Sequence, residues 1–318
     1  VIGGIEASLR RIAHYDFWQD KVRKSILADS KADILIYGMG EKPITELAML
    51  LKKGKTIDEI QNLTSSVVFS ATNPSPEDVV LPDAEICTDK NTFYQMTKIF
   101  EKNYETKVIY QKTAGRWLKH NLPAKPLTTE EMDAIYALPF EYKAHPIYDG
   151  HKIPAYEQIK DSLTSHRGCY GGCNFCAIAC HQGRRIQSRS ENSLLKEAQK
   201  HKGTISDVGG PTANMYASYC SLNFPDSCPR SSCLVPQICP NLRINHSLQL
   251  DVLEKITNLP NIKYVFIASG IRYDMAVNDD KYIETIAIKY TGGRLKLAPE
   301  HSVPKVLRLM GKPNIDSF

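Results

Sequence analysis

The sequence predicts an α/β protein built on parallel sheet. Two observations predict it: strand-then-helix patterns recur in the first seventy residues and again from about Ile159, and each apolar strand ends in a small or polar cluster. A third bounds the class. With 318 residues, 42% apolar and 24% charged, the chain can bury a sizeable core as two domains. The boundaries expected are residues 1–70, the later part of a Rossmann-like segment; residues 71–158, an insert and connector; and residues 159–318, a second α/β domain with a cysteine-rich insertion at 220–240.

Val1–Gly4 reads as a strand entering a glycine turn, and residues 32–37 as a second strand. A helix follows, with Pro43 in its first turn and Ile44, Leu47, Ala48 and Leu51 on one face. Thr56 and Glu59 have capping-box spacing. The pair Gly38 and Gly40 lacks the third glycine of a dinucleotide fingerprint, so no nucleotide is expected there. Residues 70–160 are less regular. They hold a helix from Asp89 to Asn103 with Phe93, Met96, Ile99 and Phe100 on its apolar face, and a helix capped by Thr128. His145-Pro146 and Ile153-Pro154 mark an extended connector.

From Ile159 the alternation resumes. A strand ends at Ser165–Arg167, and Ser190–Gln199 is a helix. Further strands run into Gly209-Gly210, into Ser269–Arg272 and, from Arg294–Leu297, into Ala298–His301. In parallel β/α folds that end of the strands carries the chemistry, so four strand ends are expected to converge on one site. The turn Lys200–Gly203 is short for a helix-to-strand return.

Chemistry concentrates on the cysteines. Cys169, Cys173 and Cys176 follow one strand in the pattern Cys-x3-Cys-x2-Cys, with Phe175 before the last and Gly168, Gly171 and Gly172 among them. Three thiolates on a glycine-rich loop can hold three irons of a [4Fe-4S] cluster and leave the fourth open to a chelating ligand. That is the signature of radical S-adenosylmethionine (radical SAM) enzymes, in which the aromatic lies near the adenine; a structural zinc site is the alternative. A fourth thiolate would close the open iron, so Cys180 is read as a bystander, and Cys87 as a packing residue. Cys220, Cys228, Cys233 and Cys239 form a second group in Pro- and Ser-rich sequence. Their spacing is wider than paired zinc knuckles. A second iron–sulfur cluster is therefore favoured slightly over zinc, with free structural thiols as the further alternative.

Around the cysteines, Arg189 is the expected partner of the methionine carboxylate. The carbonyls of Gly209 and Gly210, with Asp207, are the expected acceptors for the methionine ammonium. Ser269, Arg272 and Asp274 close another strand end within reach of ribose or substrate, and Glu300, a further candidate for binding S-adenosylmethionine, and His301 are polar residues at the last one.

The segments Val1–Arg11, Gln187–Ser190, Asp207–Tyr216, Ala268–Asp274 and Lys296–His301 together resemble the YgiQ-type radical SAM family. The resemblance spans nearly the whole chain. It implies a partial TIM-like (β/α)6 barrel, incomplete at its C-terminus, preceded by the later half of a cobalamin-binding-type Rossmann domain. Pro211 stands where many members of the superfamily carry an acid after two glycines. The strands that would carry a cobalamin-binding histidine would lie upstream of Val1, so cobalamin stays open. The resemblance supplies no substrate.

The function expected is reductive cleavage of S-adenosylmethionine to a 5′-deoxyadenosyl radical that abstracts hydrogen from substrate. A reductant such as flavodoxin or ferredoxin is the expected partner. Nine cysteines in groups, with neither a signal peptide nor a membrane-length apolar run in the sequence, point to a reducing, cytoplasmic setting. Two rivals remain. One is an iron–sulfur or zinc protein that binds RNA or transfers electrons, which a net charge of +5 permits. The other is a radical enzyme that transfers methyl or methylthio groups.

Overall fold

A computed structural model of the chain describes residues 1–224, 228 and 230–318. Pro225, Asp226, Ser227 and Pro229, inside the cysteine-rich insertion, lie outside the described residues. The fold is mixed α/β and divides into two compact units. Unit 1 is Val1–Lys125 with Cys180–Gln182; unit 2 is Pro126–Ala179 with Gly183–Phe318.

In unit 1 a small hairpin, β1 (His14–Asp16) and β2 (Lys21–Arg23), precedes β3 (Ile34–Ile36), β4 (Ser66–Phe69), β5 (Val79–Leu81), β6 (Ile109–Thr113) and β7 (Arg116–His120). The last five form one sheet in the order β3-β4-β7-β6-β5. Of the expected first strand only Ile2 pairs, in a single parallel bridge to Leu35, and Gly4 already opens the helix Gly4–Leu9; β3–β4, β4–β7 and β6–β7 are antiparallel. The parallel Rossmann-like segment expected over 1–70 is therefore corrected. The boundary at residue 70 falls inside a sheet, because Val67, Val68 and Phe69 pair with His120, Lys119 and Leu118.

The cause is local. Ala114 (φ 51°) and Gly115 (φ 76°) are both left-handed, and a two-residue turn of that hand joins twisted antiparallel strands. The helix Glu41–Lys52 buries Pro43 and Leu47 and leaves Ile44 and Leu51 more than 40% exposed, so its buried face is turned from the one expected. The Thr56–Glu59 capping box forms as read, and the helix expected from Asp89 runs over Lys90–Asn103 with Asp89 as its cap.

In unit 2, β8 (Ser162–Thr164), β9 (His166–Arg167), β10 (Gln187–Ser188), β11 (Gly203–Ile205), β12 (Asp207–Gly209), β13 (Tyr219–Cys220), β14 (Leu242–Arg243) and β15 (Ile262–Val265) follow in order. β8 pairs with β12 and β11 with β15, both in parallel. The Val208 amide donates to Phe266 O at 3.1 Å, and Ile271 bridges Leu297 in parallel. The last expected strand is thus reduced to one bridge. Helices Glu191–Ala198, His246–Thr257 and Asp280–Lys289 cover this layer with Leu194, Val252, Leu253, Ile256 and Ile286.

Proline, expected to keep the connector extended, instead opens a helical turn at Pro146 and the helix Pro154–Ile159, where its fixed φ suits the first position. Short backbone bonds, Lys200 N to Glu197 O and His201 N to Ala198 O, accommodate the tight return before Gly203 (φ 84°). Among the described residues no helix is long and apolar enough to cross a membrane.

Candidate functional site

The loop from Gly168 to Cys176 is shaped by contacts that leave no room for side chains. Gly168 has φ 90°, and a Cβ there would lie 2.1 Å from Arg185 O. Gly172 has φ 59°, with Ser231 O 2.9 Å from its would-be Cβ. Cys169 N donates to Gly183 O at 3.1 Å. Asn174 N donates to Met310 O at 3.0 Å, and its side-chain amide to Leu309 O at 2.8 Å. The loop therefore hangs between the start of the chain's next segment and the end of the helix Pro304–Met310.

Gly171 stands between two of the thiols. The sulfurs of Cys169 and Cys173 are each 3.4 Å from the point its Cβ would occupy, and Arg272 Nη1 is 3.5 Å from the same point. The Gly171 amide donates to Cys169 Sγ at 3.4 Å. Burial pushes the Cys169 thiol up, while that amide and the Arg272 cation pull it down. Three thiols, a glycine cradle and a buried cation suit a bound cluster of net negative charge. Among the described residues no three Cys, His, Asp or Glu side chains meet at one metal-coordinating point, and Cys169, Cys173 and Cys176 form no exception.

The cation beside the thiols is Arg272 rather than Arg189. Arg272 Nη1 reaches Cys173 Sγ at 3.9 Å, and Asp274 holds its other side through bonds of 2.8 and 2.7 Å. Arg189 is corrected. Its buried guanidinium is taken up by Glu197, by Ser193 and by Thr164 O, with the Tyr136 ring 4.0 Å from its centre. A side chain surrounded in that way locks the helix Glu191–Ala198 to the strand ends and has no donor to spare for a carboxylate.

Gly209 has a different job from the one expected. Gly209 O already accepts from Ser165 N at 2.7 Å and Ser165 Oγ at 3.0 Å, so it is no open acceptor for an ammonium. A Cβ on Gly209 would meet Ser269 Oγ at 2.3 Å, and one on Gly210 would meet the His166 ring at 2.7 Å. Both glycines let neighbouring strand ends close up. Asp207 ties two ends together, Oδ1 accepting from Ala268 N (2.8 Å) and Ser269 N (2.9 Å) and Oδ2 from Ser269 Oγ.

Ile271 N donates to Lys296 O at 2.9 Å, which brings the last strand end alongside. Glu300 (φ 71°) lies 3.6 Å from Lys312 Nζ, and His301 Nδ1 accepts from Val303 N; neither is joined to the thiols by a hydrogen bond. Phe175 is 53% exposed.

Sequence reasoning missed two residues. Asn214, 1% exposed, accepts from Arg272 N and donates to Arg272 O, both at 3.0 Å. It fixes the backbone from which the site's cation projects. His166 is fully buried, with Nδ1 2.9 Å from Ser165 Oγ, and burial pushes its pKa down to about 4. The signal for Asn214 was an amide inside an otherwise apolar and glycine-rich run; nothing in the sequence flagged His166.

Cys87 is buried and packs in the core of unit 1, with burial pushing its thiol to about 11. Cys180 groups with unit 1, where neighbouring His181 Nδ1 lies 2.8 Å from Ser8 Oγ. Cys239, Cys228 and Cys220 all act electrostatically on Cys233, whose thiol burial and these neighbours push to about 11.

Residues 1–162 match the family model described as Radical SAM N-terminal. The chain belongs to the Radical SAM N-terminal family. This radical SAM chain is 46% identical to a UPF0313 protein of Clostridium botulinum over all of its own length and 53% of the relative's. It is 45% identical to one of Methanocella arvoryzae (100% and 55%) and 39% identical to a putative UPF0313 protein of Yersinia pestis (100% and 49%). The chain thus spans about half the length of the curated relatives it matches.

Among solved structures, the cobalamin-dependent S-adenosylmethionine radical enzyme OxsB is similar at a TM-score of 0.49 and 13% identity, over 97% of this chain and 32% of that one. The radical S-adenosylmethionine methyltransferase TsrM of Kitasatospora setae gives 0.28 and 12%, over 63% and 27%. The cysteine loop begins just after the residues that the family model matches.

Proposed function

We propose that the chain is the core of a YgiQ-type radical SAM enzyme, with Cys169, Cys173 and Cys176 holding a [4Fe-4S] cluster that binds S-adenosylmethionine. The observation that carries this reading is the Gly171 cradle, two thiols and the Arg272 guanidinium converging on the volume a side chain would fill. When bound, such a cluster supplies the electron that cleaves S-adenosylmethionine to a 5′-deoxyadenosyl radical, which takes hydrogen from a substrate whose identity is open.

The protein's own residues prepare that chemistry. Arg272, held by Asp274 and clamped by Asn214, offsets thiolate charge. Asp207 and Ser269 hold two strand ends together beside Gly209. Exposed Phe175 is available to cover an adenine. The parallel pairs β8–β12 and β11–β15 are consistent with part of a (β/α)6 barrel. A flavodoxin- or ferredoxin-type reductant and a cytoplasmic setting complete the proposal.

The test uses the full-length protein, reconstituted anaerobically and given dithionite and S-adenosylmethionine. Wild-type protein is expected to hold about four irons at this loop and to release 5′-deoxyadenosine, and Cys173→Ala to lose both. Undiminished iron and cleavage in Cys173→Ala would refute the assignment.

A further inference from the structure

We propose that unit 1 carries a binding site for a free α-amino acid, in a cavity lined wholly by that unit. The site is independent of the radical reading. The cavity has a volume of about 220 Å³ and lies at one end of the five-stranded sheet. Strand direction explains why it forms there. Because β3–β4 and β4–β7 are antiparallel, β3 begins, β4 ends and β7 begins at this end, which brings Asp33, Phe69 and Arg116 together. Lys31 follows the helix Ile26–Ser30, while Asp58 and Gln61 come from the helical turn Ile57–Glu59 and the residues after it. A volume below the range of drug-sized sites, which begins at about 300 Å³, selects a small ligand.

Unpaired charge indicates what that ligand carries. Lys31 and Arg116, and Asp33 and Asp58, line the cavity, two of each sign. Among the described residues none of these four side chains takes part in an ion pair or a hydrogen bond. Charges beside them do pair: Asp29, on the helix before Lys31, meets Arg23 at 2.8 Å, and Glu59, next to Asp58, meets Lys55 at 3.3 Å. Arg116 instead lies on the Phe69 ring, its guanidinium carbon 3.6 Å from the ring centre. Stacked in that way, a guanidinium keeps its edge N–H groups for a carboxylate.

Gln61 supplies an independent observation. Its Nε2 donates to Asp58 O at 3.2 Å and to Phe69 O at 3.5 Å, two carbonyls that fix which end of the amide is which. Its Oε1 is then buried with no hydrogen-bond partner. A buried amide oxygen left in that state is costly and calls for a donor. An ammonium provides N–H donors for Gln61 and a charge for Asp33 and Asp58, while Arg116 and Lys31 take a carboxylate. Buried Val68 adds an apolar wall for a side chain. An amine alone or an acid alone leaves one pair of charges unmet; a free α-amino acid meets both.

The experiment dialyses full-length protein to equilibrium against each of the common L-amino acids in turn. At least one is expected to bind saturably. Its decarboxylated amine and its deaminated acid, used as the comparison probes, are each expected to bind about tenfold more weakly or worse. Arg116→Ala is expected to weaken the amino acid about tenfold and to leave the amine unchanged. Asp33→Asn combined with Asp58→Asn is expected to weaken the amino acid by a similar factor and to leave the acid unchanged. These four side chains stand at the rim of the cavity rather than in the core, so the variants are expected to fold. Cys173→Ala, in unit 2, is expected to bind the amino acid as wild type does, which separates this site from the cluster loop. No saturable binding by any of the amino acids, equally tight binding of the amine or the acid, or undiminished binding in Arg116→Ala would each overturn the proposal.

Discussion

Gly168 and His166, two residues apart, show how much single positions carry. At Gly168 a left-handed φ of 90° coincides with a carbonyl 2.1 Å from the missing Cβ. Gly168→Ala adds both backbone strain and a clash, so a loss of about 3 kcal/mol or more is expected in urea unfolding of unit 2. His166 acts through its proton. Folded, it stays neutral down to about pH 4; unfolded, it takes up a proton near 6.5. Its contribution is therefore fully present above pH 6.5 and is lost as the pH falls towards 4. Between pH 7 and 5 this amounts to about 2 kcal/mol, and His166→Gln is expected to reduce the fall in stability over that interval by a similar amount. Spacing, the neighbouring aromatic and the glycines single out the three loop cysteines in the sequence, and the structure sets the sulfurs of Cys169 and Cys173 on either side of Gly171. Arg189 and Arg272 could not be told apart in the sequence, because what separates them is the company they keep: Glu197 and Ser193 for one, Asp274 and Cys173 for the other.

Elements were legible where their signals are local. The Thr56 and Thr128 capping boxes, the helix ending at Asn103 and the helix after Ser190 form where the sequence places them. The hairpin β6–β7 was not legible, because neither Ile109–Thr113 nor Arg116–His120 alternates apolar and polar residues and Ala114-Gly115 by itself is a weak turn signal. The Arg189–Glu197 pair shows what one element owes to another. It links the helix Glu191–Ala198 to the end of β8 through Thr164 O, inside a site with side-chain exposures of 1% and 6%. Arg189→Ala strands the Glu197 charge and is expected to cost about 3–5 kcal/mol by denaturant titration. Iron content per folded molecule should stay unchanged, since Arg189 makes no contact with the cluster loop's sulfurs; a selective loss of S-adenosylmethionine affinity without destabilisation would restore the carboxylate role.

At the scale of the molecule, both tryptophans, Trp18 and Trp117, belong to unit 1, while the two cysteine groups belong to unit 2. Tryptophan emission therefore follows unit 1 alone. Replacing Cys169, Cys173 and Cys176 together by alanine is expected to leave the emission-detected unfolding midpoint unchanged, while tyrosine circular dichroism, to which buried Tyr170 contributes, loses its dependence on added iron. The Tyr170 carbonyl has a larger consequence. It accepts from Cys233 N at 3.2 Å and from Ser232 Oγ at 3.3 Å, while its ring stacks on Phe224 and its hydroxyl donates to Ser218 O. One residue of the first cysteine loop is thus threaded through the second. For anyone transplanting this chemistry into another scaffold, the two loops are a single cassette: a graft of residues 168–176 without 218–242 would arrive without the wall it leans on.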